Sequence, residues 1–143
     1  MKFGVNLLLW TGGFSDQDIP LFEKVRSLGY DGVELPIFST QGITTALVRK
    51  ALADTGLGCT ICSVIAPGAG LVDPDPKARQ RGIDFLRADI DLAHEIGAEI
   101  ISGPLHSPVG HLVGRGRTQE EWRWCVDCLS EVASYAESAG VLL

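Results

Sequence analysis

The sequence has 143 residues, a formal net charge of −6 at pH 7 and 45% hydrophobic residues. That length suffices for one domain with a buried core, and that apolar content is typical of a globular α/β protein rather than of a disordered chain. The negative charge argues against nucleic acid or an anionic membrane surface as the partner. No apolar run approaches the ~18 residues of a membrane span, so we expect neither kind of partner.

Apolar stretches alternate with helical patterns along the whole chain. The strands are nearly continuous in apolar character, with single polar residues such as Asn6 and Glu34, as is typical of strands covered on both faces. The predicted strands cover residues 3–10, 32–38, 59–65 and 99–102. The predicted helices cover residues 16–28, 44–55, 76–96 and, after the Thr118 cap, 119–139.

Capping signals mark the helix boundaries. Ser15 and Asp75 are placed as N-caps, Pro76 stands at the first helical position, and Thr118 with Glu121 forms a capping box. A glycine follows every predicted helix: Gly29, Gly56, Gly97 and Gly140. This alternation of strand and helix predicts parallel strands joined by right-handed crossovers.

Two architectures are compatible with these units: an open doubly wound sheet and part of a (β/α)8 barrel. A complete barrel typically has ~250 residues. Residues 141–143 read as the beginning of a fifth strand, so the chain amounts to half of a barrel. No GxGxxG turn or P-loop follows strand one, which lowers the weight of a nucleotide-binding open sheet. We expect one α/β domain over residues 1–143, a half barrel truncated before strand five is complete.

The cysteines form two CxxC pairs, Cys59 with Cys62 and Cys125 with Cys128. The gap between the pairs is far longer than the ~15–20 residues of a zinc ribbon. Positions three apart in a strand also face opposite sides of the sheet. We therefore predict reduced, structural cysteines that hold no metal, which is typical of a cytoplasmic protein.

Several segments match a known family in the same order along the chain. They are KFGV at residues 2–5, Trp10, LGYDGVE at residues 28–34, GPLHS at residues 103–107 and YAESAGVLL at residues 135–143. Together they resemble the N-terminal half of the xylose isomerase-like TIM barrels, in particular the sugar phosphate isomerase and epimerase group that includes the D-tagatose and D-psicose 3-epimerases. Asn6 is a departure, because the 3-epimerases carry an aromatic residue in this strand.

The resemblance implies an enzyme that uses Mn²⁺ or Mg²⁺ to epimerise or isomerise a ketose or a sugar phosphate. One carboxylate removes the proton beside the carbonyl, a second returns it, and the metal steadies the enediolate. In the family, the metal ligands and both catalytic glutamates lie on strands five to eight, which places the glutamate pair beyond Leu143. We therefore expect no catalytic residue and no metal ligand within residues 1–143, no metal bound to this chain alone, and little activity from it.

Two other interpretations stay open. One is a non-catalytic half barrel that closes by homodimerisation, and the other is a small-molecule-binding α/β domain. Half of a barrel leaves two unpaired strand edges and an exposed interior. For that reason we expect a homo-oligomer.

Candidate substrate contacts are polar or aromatic residues at strand ends and in the loops that follow. His106, which follows strand four, is the strongest candidate, because the active sites of barrel enzymes lie at this end of the sheet. Arg115 and Arg117 precede a helix N-terminus and suit a phosphate group. The other candidates are Asn6, Trp10, Phe14, Glu34 and Ser63. The competing interpretation of each is structural: a packed apolar residue, a hydrogen-bonded polar group or a solvated loop.

Overall fold

A computed structural model describes the whole chain, residues 1–143. The strands form one parallel sheet: β1 (Gly4–Asn6), β2 (Gly32–Ile37), β3 (Gly58–Ser63) and β4 (Ile101–Ser102). The α-helices alternate with them: α1 (Leu21–Ser27), α2 (Thr45–Thr55), α3 (Pro76–Ile96) and α4 (Gln119–Ala139). None of these helices is both long and apolar enough to cross a membrane.

The order of the strands decides between the two predicted architectures. Each strand pairs with its neighbours in sequence, in the order β1-β2-β3-β4. A doubly wound sheet reverses its order at a switch point, whereas a barrel adds its strands in sequence. Leu142 pairs in parallel with Ile100, beside β4, where the next strand of a barrel lies. The predicted partial (β/α)8 barrel is confirmed.

One face of the sheet is buried under the helices, and the other is open. The helix-facing side chains of β2, namely Val33, Leu35 and Ile37, are at most 2% exposed. Leu86 and Ile90 of α3 are fully buried against this face, on the stripe that the helical spacing predicts. Burial of this apolar layer is the main source of stability, and it fixes which strand residues remain on the open face.

The first strand is shorter than predicted. β1 ends at Asn6, and Leu7–Leu9 form a turn of 3₁₀ helix in place of the predicted strand. The Asn6 side chain accepts a hydrogen bond from the Leu8 backbone N–H at 2.8 Å, which caps this turn. An asparagine in this role competes with the strand ladder for the backbone, so the chain leaves the sheet at Asn6.

The first predicted helix is divided in two. A 3₁₀ turn covers Asp16–Asp18, and α1 begins only at Leu21. Pro20 separates the two, because it has no backbone N–H to donate within a helix. Ser15 stands at the start as predicted, where its N–H donates to the Asp18 carboxylate at 2.9 Å.

The last two strands are also shorter than predicted. β3 ends at Ser63 rather than at residue 65, and only Ile101 and Ser102 of β4 pair with β3. Gly103 has a φ of 137°, and a Cβ atom there would lie 2.0 Å from the Ser63 carbonyl oxygen. This close approach requires glycine. It marks the point where the chain leaves β4 and enters the loop that carries His106.

Candidate active site

A row of polar side chains crosses the open face of the sheet. Asn6 and Glu34 are opposite each other in the β1–β2 register, and the Asn6 Nδ2 donates to Glu34 Oε2 at 2.6 Å. The Ser102 hydroxyl of β4 donates to Glu34 Oε1 at 3.1 Å. Both oxygens of the carboxylate therefore have a donor, and the predicted candidates Asn6 and Glu34 lie together. Ser102 is not among the predicted candidates, although its place at the end of an apolar strand was the available signal.

The Glu34 carboxylate carries its charge without a cationic partner. No Lys or Arg nitrogen lies within ion-pair distance of it. Its oxygens keep lone pairs beyond those that Asn6 and Ser102 use, and these can accept hydrogen bonds from hydroxyl groups. A fixed carboxylate on an open sheet face can therefore anchor a polyhydroxylated ligand through charge-assisted hydrogen bonds.

The two cysteines of β3 face opposite sides of the sheet, as the strand alternation predicts. Cys59 packs against the helix-facing core, and burial raises the pKa of its thiol to about 12. Cys62 lies on the open face beside Glu34. Burial is the largest cause that raises the pKa of Cys62, and the charge of Glu34 adds to it. Both thiols therefore stay protonated at neutral pH and are poor nucleophiles.

The two aromatic candidates differ in accessibility. Phe14 is 6% exposed, and its ring stacks on Phe22 with the centroids 5.9 Å apart. The prediction that Phe14 forms a wall against a ligand does not agree with this position, because core packing occupies the ring. Trp10 is 36% exposed, with the Lys24 ammonium 4.6 Å from its ring centroid. Trp10 alone of the pair has an accessible surface.

Ser63 does not point to the open face. It is fully buried on the helix-facing side of β3, two residues after the buried Ile61. Its hydroxyl donates to the Asp89 carboxylate of α3. Asp89 Oδ1 has no hydrogen-bond partner, and burial raises the pKa of Asp89 to about 6. The predicted pocket role of Ser63 is therefore at odds with its position, since strand alternation turns its side chain towards α3.

A cavity of about 700 Å³ lies between the loop after β3 and the loop after β4. Its lining includes seven residues of the second loop, among them the basic residues His106, His111, Arg115 and Arg117. The structure therefore brings three of the predicted candidates together here, and Asn6 and Glu34 are not among the lining residues. The His106 side chain is exposed, while its carbonyl oxygen accepts the Leu71 N–H at 2.8 Å and joins the two loops.

The predicted phosphate site is occupied by the chain itself. Arg115 donates to both carboxylate oxygens of Glu121, at 3.0 and 2.7 Å. These bonds, followed by the Thr118 N–H, lower the pKa of Glu121 to about 2. The Arg117 guanidinium lies 4.4 Å from the centroid of the Trp122 ring. Because Glu121 compensates Arg115 and also closes the predicted capping box, the N-terminus of α4 is not free for an anion.

No three His, Cys, Asp or Glu side chains come close enough together to hold one metal ion. Carboxylates such as Glu34 and Asp89 instead accept hydrogen bonds from neighbouring side chains and lie apart from one another. The donor set of residues 1–143 does not fit a divalent cation, which requires several oxygen or nitrogen ligands converging on one point.

The last residue of the sequence, Leu143, marks the position beyond which the catalytic glutamate pair was predicted. Leu143 is 42% exposed and directly follows Leu142, which pairs beside β4. Its apolar side chain has no group that could transfer a proton or bind a metal, so Leu143 itself is not a site residue. The position of the glutamate pair concerns residues outside this sequence, and it stays a prediction.

A family model described as the xylose isomerase-like TIM barrel matches residues 22–143. The chain is 26% identical to the L-ribulose 3-epimerase of Mesorhizobium japonicum over 144 residues, which cover 99% of this chain and 48% of that protein. It is 29% identical to a ketose 3-epimerase of Arthrobacter globiformis over 108 residues, 75% of this chain and 37% of that protein. The chain spans about half the length of these curated relatives.

Solved structures show the same fold over the whole chain. A structure of L-ribulose 3-epimerase superimposes with a TM-score of 0.90 at 24% identity, covering 99% of this chain and 48% of that one. D-allulose 3-epimerase from Methylomonas sp. in complex with D-allulose superimposes with a TM-score of 0.91 at 21% identity, covering 99% and 50%. In both, the equivalent region is one half of a longer chain.

Proposed function

This chain belongs to the xylose isomerase-like TIM barrel family, and we propose that it forms the N-terminal half of a metal-dependent ketose epimerase. Its curated relatives are sugar epimerases. On this proposal, residues 1–143 are a partial barrel domain in a cytoplasmic enzyme. They bind and orient the sugar, while the proton transfers beside its carbonyl belong to the other half of the barrel.

The observation that carries the proposal is the geometry of Glu34. A carboxylate on the inner face of a barrel, held at both oxygens by Asn6 and Ser102, is placed to accept hydrogen bonds from sugar hydroxyls. Its charge is uncompensated by any cation. In a closed barrel that face is the interior, where the exclusion of water strengthens such bonds.

Other residues supply shape and selectivity. We assign Trp10, the more accessible of the two aromatic candidates, to the apolar face of the sugar, and the exposed ring of His106 to a hydroxyl at the mouth. A neutral ketose fits the cavity loops better than a sugar phosphate does. Arg115 is already paired with Glu121, and Arg117 is then the remaining cation of the predicted phosphate site.

Mn²⁺ or Mg²⁺, when bound, would polarise the substrate oxygens and stabilise an enediolate. The donor set of residues 1–143 does not fit such an ion, so we propose that other parts of the barrel, beyond Leu143, hold it together with the catalytic glutamates. This chain contributes binding and orientation of the sugar and no proton transfer.

The test of the function uses residues 1–143 fused to the C-terminal half of the Mesorhizobium japonicum L-ribulose 3-epimerase. The assay follows Mn²⁺-dependent exchange of the hydrogen beside the carbonyl of L-ribulose with deuterium from the solvent. We expect exchange, and we expect Glu34→Gln to lower kcat/KM by about 10- to 100-fold, the value of a hydrogen bond to a charged group.

The control variant is Glu95→Gln, which changes an exposed carboxylate on α3 and is expected to leave exchange unchanged. A folded fusion that catalyses no exchange would contradict the proposed function. Equal rates for Glu34→Gln and the parent fusion would contradict the role of Glu34.

A further inference from the structure

The buried face of α3 carries a carboxylate among apolar side chains. Leu86, Asp89, Ile90 and Ala93 are all fully buried, and Asp89 is the polar residue of the four. Its Oδ2 atom accepts a hydrogen bond from the Ser63 hydroxyl, whereas its Oδ1 atom has no partner. A carboxylate costs more free energy to bury than an apolar side chain does, so packing alone does not account for the aspartate.

Ser63, the partner of Asp89, lies against the start of the loop after β4. The register of β3 and β4 ends with Cys62 opposite Ser102, so Ser63 and Gly103 are the next residues along the two strands. A Cβ atom on Gly103 would lie 2.0 Å from the Ser63 carbonyl oxygen and 3.3 Å from the Ser63 nitrogen. The backbone of Ser63 is therefore the surface against which this loop begins.

Residues 103–106, the His106 turn, lead directly from this contact to His106. The Leu105 N–H donates to the Gly103 carbonyl at 2.9 Å, and the half-buried Leu105 side chain packs against the core. The His106 carbonyl oxygen then accepts the Leu71 N–H at 2.8 Å. The position of His106 is therefore set by two contacts, one with Ser63 at the start of the turn and one with Leu71 at its end.

Both contacts of the His106 turn are held by the same face of α3. Asp89 holds Ser63 through its hydrogen bond. Seven residues earlier, Gly82 lies under the loop after β3, where a Cβ atom would be 2.6 Å from the Leu71 side chain. Residues seven apart share one face of a helix. α3 is therefore the element that fixes both ends of the turn.

We propose that Asp89 and Ser63 are positioning residues for His106. The carboxylate fixes the hydroxyl, and with it the end of β3, through a charge-assisted hydrogen bond at the point where the His106 turn begins. The pair supplies direction rather than stability, since replacing both buried partners by apolar groups of similar shape is often neutral or stabilising. This role rests on the proposed contact of His106 with the sugar, and it gives Ser63 a part in the site without a contact of its own to the ligand.

The test replaces both partners at once in the variant Ser63→Ala/Asp89→Leu. Leucine has the same branching of side-chain heavy atoms as aspartate, and alanine lacks only the hydroxyl of serine. All measurements are made at pH 8, where Asp89 of the parent chain is ionised, because burial raises its pKa only to about 6. We expect the double variant to be at least as stable as the parent chain in urea denaturation.

Hydrogen exchange of two backbone amides in the 143-residue chain separates positioning from stability. The Leu71 N–H donates to the His106 carbonyl, and the Ile61 N–H donates to the Ile100 carbonyl at 2.9 Å within the sheet. We expect the Leu71 amide of the double variant to exchange about tenfold faster than in the parent chain, the effect of losing one hydrogen bond. The Ile61 amide, which reports opening of the sheet, should exchange at the parent rate.

The consequence for sugar binding is measured in the fusion with the C-terminal half of the Mesorhizobium japonicum L-ribulose 3-epimerase. We expect the double variant to raise KM for L-ribulose by about tenfold and to leave kcat within about twofold, since a displaced binding contact weakens the ground state and the transition state equally. Asp89→Asn keeps an oxygen that accepts from Ser63, so its KM and its Leu71 exchange should lie within about twofold of the parent values. The control Ile90→Val trims a fully buried neighbour and should lower stability while leaving KM unchanged.

Unchanged exchange of the Leu71 amide in the double variant would overturn the inference. Lower stability with faster exchange at both Leu71 and Ile61 would also overturn it, because the pair is then a structural part of the core and nothing more. If the double variant does not fold, Ser63→Ala alone is judged by the same comparison of the two amides. Faster Leu71 exchange with an unchanged KM in an active fusion counts against the inference. A parent fusion without activity counts against the proposed function, and the Leu71 amide then still decides the inference.

Discussion

Asp89 offers a sharp test of the packing between α3 and β3. Its side chain is fully buried, one oxygen accepts from the Ser63 hydroxyl, and the other has no partner. Burial without a cation disfavours the charged carboxylate, which raises the pKa of Asp89 from 3.8 to about 6, although the Ser63 hydrogen bond acts in the opposite direction. The folded state therefore binds this proton more tightly than the unfolded chain does.

The sign and size of the effect on stability follow from that difference. Below pH 3.8 Asp89 is protonated in both states, and its burial carries no ionic penalty. As the pH rises from 3.8 to about 6, the folded state loses stability relative to the unfolded chain, and the loss is complete above about pH 6. At ~1.4 kcal/mol per pH unit, the total from this one group is about 3 kcal/mol.

The substitution Asp89→Asn removes the ionisation and keeps an amide oxygen that can accept from Ser63. Urea denaturation of both proteins, followed by circular dichroism between pH 4 and pH 7, gives the free energy of unfolding at each pH. We expect the parent chain to lose about 2–3 kcal/mol relative to Asp89→Asn across this range. The control Asp84→Asn changes an exposed carboxylate of the same helix and should follow the parent curve. Parallel curves for Asp89→Asn and the parent would refute the reasoning.

The remaining two predictions concern a glycine and a thiol. Gly82→Ala places a Cβ atom 2.3 Å from the Ala69 carbonyl oxygen. We expect the free energy of unfolding, measured by urea denaturation, to fall by about 1–3 kcal/mol despite the better helix propensity of alanine. The control Gly116→Ala has open space around it and should be neutral. Equal stability of both variants would contradict the packing. Because burial raises the pKa of Cys59 to about 12, alkylation of the native protein at pH 8 should label Cys62 well before Cys59, and faster labelling of Cys59 in a mass-spectrometric time course would contradict its placement.

The alternation of strands and helices can be predicted from the sequence because it depends on local signals. The N-termini of α3 and α4 are predictable because the side chains of Asp75 and Thr118 accept hydrogen bonds from backbone N–H groups two or three residues away. The failures occurred where two local signals compete. The Asn6 side chain turned the end of the first strand into a 3₁₀ turn, and Pro20 divided the first helix. Neither outcome can be read from hydrophobic periodicity alone, because that periodicity does not report the side-chain hydrogen bond of Asn6 or the missing backbone N–H of Pro20.

The candidate site depended on contacts between residues far apart in the chain. The sequence places Glu34 in an apolar strand, but its hydrogen-bond partners Asn6 and Ser102 are 28 and 68 residues away from it. Ser63 was misplaced because the polar and apolar residues of β3 fall on both faces, so the alternation alone does not say which face is inside. The sequence does not show that Arg115 is paired, because its pairing with Glu121 requires the fold of the intervening loop.

By itself, then, the sequence determined the parallel α/β order, the helix caps and the family resemblance, because each is encoded in short-range spacing or in shared segments. The tertiary structure decided which side of each strand is open and which charges are already paired. These depend on strand register and on packing between distant elements, where burial sets the free energy of every polar group.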